Sequence, residues 1–128
     1  MKPGKELDEL VAESIFGWKK IPLTPTFPYE LDWMWDKKEG CLRFEAQECP
    51  NYSTDIRQAW KVVDKLEEIM CELEFSFGKN KKIWATFVVS GEVDGSHPIF
   101  QSEGRTAAHA ICLAGLKAIE YFNIWNYM

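Results

Sequence analysis

The sequence predicts an α+β fold: an antiparallel sheet of about four or five strands sandwiched by three helices, in the order α-ββ-α-ββ(β)-α. Three observations carry this reading. Apolar residues recur at spacings of three and four in three separate segments, which marks one helical face in each. Shorter segments between them alternate apolar and polar residues, as half-buried strands do. The length, 128 residues at 46% hydrophobic content, fits one domain spanning residues 1–128 around one core.

The first helix is expected over 4–16. Leu7, Leu10, Val11 and Ile15 share a face, and Glu6, Asp8, Glu9 and Glu13 occupy much of the other side. Gly17 ends it, and Trp18 is expected to fold back onto the core. Pro22, Pro25 and Pro28 make residues 19–28 an extended connection, excluding a helix and a central strand. Residues 29–35 (YELDWMW) read as an aromatic strand. Lys37 to Gly40 form a turn, and 41–45 (CLRFE) return as the second strand of a hairpin.

A loop with Pro50 leads to NYSTDIRQAW, where Ser53 or Thr54 is placed to cap a helix over about 54–71. Ile56, Ala59, Trp60, Val63, Leu66, Met70 and Leu73 form its expected apolar stripe. Residues 73–77 (LEFSF) alternate strictly; 82–90 (KIWATFVVS) are β-branched and aromatic; 98–101 are a short third strand. The last helix is expected from Gly104 to Phe122, capped by Thr106. Its alanines leave a small-residue face that permits close approach to a sheet.

The net charge is −5 and evenly spread: 7 basic and 10 acidic residues in 1–50, 8 and 10 in 51–128. Neither half has the basic surplus that neutralises a phosphate backbone, so nucleic acid is not an expected partner. Lys79, Lys81 and Lys82 make a small basic patch that reads as a solvated turn. No apolar window is long enough for a transmembrane helix, and MKPGKELDEL lacks a signal-peptide core. A soluble, cytoplasmic protein without membrane association is expected. Cys41, Cys49, Cys71 and Cys112 show no C-x-x-C pair, so disulfides are not expected either.

Three blocks, GKELDELVAESIFGW at 4–18, PNYSTDIRQAWKVVDKL at 50–66 and AHAICLAGLKAI at 108–119, resemble in order segments of the phage ABA sandwich domain family. Its members are small proteins of unknown function from phages and prophages of Gram-positive bacteria. The resemblance implies a helix–sheet–helix sandwich and a phage context. It implies no catalytic residues, and residues 19–49 carry no matching motif.

The candidate ligand-binding residues fall in three groups. Tyr52, Ser53 and Thr54 stand at a helix N-terminus, where free N–H groups suit an anion, although Asp55 favours a plain cap. Arg105, Thr106 and His109 open the last helix and bring a cation, a hydroxyl and an imidazole to one end, the better anion site of the two. Trp33 and Trp35 share a strand face that could stack a base or fill a partner's pocket. Trp60 and Trp84 are assigned to the core. His109 and Cys112 are one turn apart, but zinc would need two further ligands and Cys112 lies among apolar neighbours. No metal, cofactor or catalytic residue is assigned.

The expected function is that of a non-enzymatic phage protein acting on a host protein, counter-defence being one use. The alternatives are a domain binding a nucleotide or another small anionic ligand, and a module of the double-stranded-RNA-binding type, whose α-β-β-(β)-α order matches residues 54 onward. The aromatic C-terminus is compatible with a homo-oligomer.

Overall fold

The computed structural model describes residues 1–22, 33–36, 49–69, 71–77, 82–89 and 99–126. The elements are α1 (Lys5–Ser14), β1 (Lys19–Pro22), β2 (Trp33–Asp36), α2 (Ile56–Glu67), β3 (Cys71–Phe77), β4 (Ile83–Val89), β5 (Ile99–Gly104) and α3 (Ala107–Asn126). The α+β class and the three helices are as the sequence predicts. The five described strands, however, form two sheets, a β1–β2 ribbon and a three-stranded antiparallel sheet in the order β3-β4-β5.

The strand at 33–36 pairs with 19–22 (Lys19 opposite Asp36, Pro22 opposite Trp33), a stretch the prolines had assigned to a connection. A two-stranded ribbon is all edge, and Pro22 ends it, so the rule against proline in central strands is not broken. The expected strand at 41–45, the turns at 37–40 and 78–80, the loop at 91–97, Met70 and the Lys79–Lys81 patch lie outside the described residues.

Register sorts the larger sheet into two faces. Cys71 pairs with Val89; Leu73, Phe87 and Phe100 form one row; Phe75, Ala85 and Ser102 form the next. These rows carry the buried positions of β4 and face the helices. The opposite face carries Glu72, Glu74, Thr86 and Gln101, together with a half-buried Trp84 between Ser76 and Glu103. Trp84 is therefore not on the core face.

α3 lies on β4 and β5, and α2 packs along α3 and against β3. Small residues set these distances. A Cβ on Gly104, the last residue of β5, would overlap the backbone of Ala110 in α3. A Cβ on Gly115 would stand 3.1 Å from both Leu66 and Val62 of α2, and 3.3 Å from Ile15 of the α1 end. The alanine face read from the sequence thus meets the sheet at Ala110, while Gly115, outside that reading, meets the other helices. The helix itself starts at Ala107, after Gly104 has closed the strand.

At the end of α1, Gly17 takes φ 72° and lets the Trp18 N–H reach back to the Ala12 carbonyl at 3.0 Å. Trp18 packs against the core, as expected. Asp8 does not face water with the other acids of α1: it is only 4% exposed.

Candidate functional site

A buried carboxylate needs donors, and Asp8 finds them in Ser53, one of the candidate residues before α2. Its Oδ1 accepts the Ser53 backbone N–H at 2.7 Å and the Ser53 hydroxyl at 2.6 Å. Ser53 Oγ in turn accepts the Gly4 N–H at 2.8 Å. Ser53 is fully buried with its hydroxyl held by Asp8, and it does not cap α2. That role belongs to Asp55, whose Oδ1 accepts the Arg57 N–H at 2.9 Å, so α2 begins at Ile56. The backbone donor read as an anion site is occupied by the chain's own anion.

Thr54 is exposed, its N–H turned back to the Asn51 carbonyl at 3.3 Å. Tyr52 is buried and stacks on Phe16, with ring centroids 5.0 Å apart. Burial, with Cys49, Cys112 and Asp8 nearby, pushes its phenol well above the usual range.

The start of α3 is closed in a similar way. Thr106 Oγ1 accepts the His109 N–H at 3.2 Å, the capping bond expected of it. His109 Nδ1 accepts the Arg105 N–H at 3.0 Å. That fixes the tautomer with the proton on Nε2, which donates to the Met1 carbonyl at 2.8 Å. His109 is buried, while Arg105 and Thr106 are exposed. The structure does bring these three together, but as a cap that ties the N-terminal residues to α3.

Trp35 is fully buried, with Trp18 edge-on at 5.8 Å and Lys20 Nζ 5.5 Å from its ring centroid. Trp33 is placed by its pairing with Pro22 at the end of the ribbon. Cys112 is fully buried, which pushes its thiol up to about 12, with Asp8 adding to the rise. Burial also raises Cys71 and Cys49 to about 11. A thiol so raised is a poor nucleophile near neutral pH. Among the described residues no group of three or more His, Cys, Asp or Glu is placed to hold a metal, and no helix is long and apolar enough to cross a membrane.

An open concavity lies elsewhere. Between α2 and β3 runs a groove of about 610 Å³ lined by Trp60, Val63, Cys71, Leu73 and Phe75, with Glu67 and Glu72 at its sides. Trp60 is 47% exposed and meets Phe75 edge-on at 6.4 Å. Ile56, one turn earlier, is 40% exposed. The stripe expected of α2 is wider than the arc that is buried (Ala59, Val62, Val63, Leu66), so Ile56 and Trp60 fall at its edge. An apolar stripe broader than its neighbours can cover is the signal in the sequence that marks such a surface.

No curated protein and no solved structure matches the chain. Residues 9–116 match the family model described as the phage ABA sandwich domain, and the chain belongs to that family.

Proposed function

We propose that this protein is a non-enzymatic binding protein of a phage or prophage that acts on a host protein in the bacterial cytoplasm, and that it engages its partner through the groove between α2 and β3. The observation that carries this reading is Trp60. A large aromatic side chain held half in water beside an apolar trough is the anchor that protein interfaces favour. Solitary exposed apolar residues are ordinary, but Trp60 lines the groove, and Ile56, four residues earlier on the same helix and so on the same side of it, is exposed as well. The buried, raised thiols and the internally bonded His109 support a role without chemistry.

The test compares tagged wild type with Trp60→Gln on host lysate. A host protein retained by wild type, lost with Trp60→Gln and bound again when purified supports the reading. Equal retention by both forms refutes the groove as the contact surface. A nucleotide panel in thermal shift is the counterpart: a rise in melting point that survives Trp60→Gln would favour the small-ligand alternative.

A further inference from the structure

We infer that the partner joins the sheet as an extra strand beside β3, using an extended segment whose side chains alternate apolar and basic. This rests on the groove being the recognition surface and specifies what fits there. Among the described residues β3 has one strand neighbour, β4, so it lies at an edge of the three-stranded sheet. An edge strand offers a row of backbone donors and acceptors to an incoming chain.

The side chains of β3 then dictate the sequence of that chain. Leu73 and Phe75 point to the helix side and line the groove with Trp60. Glu72 and Glu74 point the other way and are exposed. A neighbouring strand distributes its own side chains over the same two faces. Its inward residues would enter the apolar groove. Its outward residues would stand beside Glu72 and Glu74, where opposite charge stabilises and like charge destabilises. Glu67 and Glu72 form no ion pair among the described residues, whereas Glu68 and Glu103 are each matched by a lysine. Among the described residues the lining of the groove contains no basic side chain, and the whole chain carries −5.

A second copy of the chain fits poorly. In the antiparallel register that overlaps all of β3 with its twin, Glu74 faces Glu74. The strand reads CELEFSF, so its complement carries Lys or Arg where β3 carries Glu.

The probes are three synthetic peptides of equal length. One alternates Lys with Val and Phe, one alternates Glu with the same apolar residues, and one has the composition of the first with its lysines in a block. Affinity is read by fluorescence anisotropy at physiological salt, and amide exchange is followed on β3. The expected result is at least tenfold tighter binding of the alternating Lys peptide than of either control. New protection of β3 amides should accompany it. The Glu72→Lys/Glu74→Lys variant should reverse the preference towards the Glu peptide.

Equal binding of the alternating and blocked Lys peptides overturns the proposal, because charge alone then suffices. So does a preference that the charge reversal leaves unchanged. A dimer of the unmodified protein that dissociates in the Trp60→Gln variant also overturns it, in favour of a second copy. If Trp60→Gln abolishes host-protein capture while none of the peptides discriminates, the groove stands and strand addition fails. If Trp60→Gln leaves capture intact, the groove reading itself fails.

Discussion

Asp8 on α1 accepts two hydrogen bonds from Ser53, which lies 45 residues further along the chain: one from the backbone N–H at 2.7 Å and one from the hydroxyl at 2.6 Å. Both residues are buried. The pair joins the first helix to the segment that launches the second. Hydrogen bonds to a charged group are the stronger kind, and a buried carboxylate deprived of donors is costly.

Ser53→Ala removes the hydroxyl donor and also leaves the Gly4 N–H without its acceptor. We expect a loss of about 2–3 kcal/mol in urea unfolding. Asp8→Ala should cost a similar amount, and the double variant should fall short of the sum by about 1 kcal/mol or more. Strict additivity in the cycle would show that the pair is not coupled.

Gly104→Ala tests the contact between sheet and helix. Its methyl group would press on the backbone of Ala110, with the Ala110 Cα at 2.8 Å, and a backbone cannot turn aside as a side chain can. Overpacking of this kind costs about 1–3 kcal/mol. An unchanged urea midpoint would mean that β5 and α3 have room to part.

The two tryptophans Trp35 and Trp60 should respond in opposite ways. Trp35 is fully buried, and Trp35→Ala is expected to cost about 3–5 kcal/mol through the cavity it leaves. Trp60→Ala gives up an edge contact with Phe75 worth about 0.5–1.5 kcal/mol and the burial of only part of its ring, so it should cost clearly less than Trp35→Ala. Thermal melts of the two variants should differ plainly, and equal destabilisation would contradict the assignment of Trp60 to the surface.

Cys49, Cys71 and Cys112 hold their protons more tightly in the folded chain, at about 11, 11 and 12, than the reference value of 9.0. The sign follows from linkage. Below about pH 9 both states are protonated and these thiols contribute no pH dependence. Above it the unfolded chain loses protons that the folded chain keeps, so stability falls as pH rises from about 9 towards 12. Urea midpoints taken from pH 8 to 11 should decline, and Cys112→Ala should flatten part of that decline. In the folded protein iodoacetamide should spare Cys71 and Cys112 at pH 8 and label both in urea. Rapid labelling without denaturant would contradict their burial.

Much of the architecture was written in local pattern. The α1 periodicity, the break at Gly17, the alternation of β3, the β-branched run of β4 and the alanine face of α3 each specify an element without reference to the rest. The sites of error are those where a distant residue decides. Ser53 has the chemistry of a cap, but Asp8 takes its hydroxyl and leaves Asp55 to do the capping. Asp8 reads as one acid among four, and only the approach of Ser53 makes its burial tolerable. Pro22 argues against a central strand, which a two-stranded ribbon does not contain. The start of α3 followed the opposite course: Thr106 caps as its type suggests, and His109, offered as a ligand group, bonds inward to Arg105 and Met1. The exposure of Trp60 depends on how much of α2 is covered by α3 and β3, and spacing along one helix does not carry that information.

Gly115 bears on how the molecule opens. It is the point where Ile15, Val62 and Leu66, from two other segments, converge on a single position of α3. No one of the three helices can swing out without emptying space beside the other two. Fluctuations in this layer should therefore be all or nothing, and the slowest-exchanging amides of α1, α2 and α3 should report one common opening energy, while the β1–β2 ribbon opens on its own account.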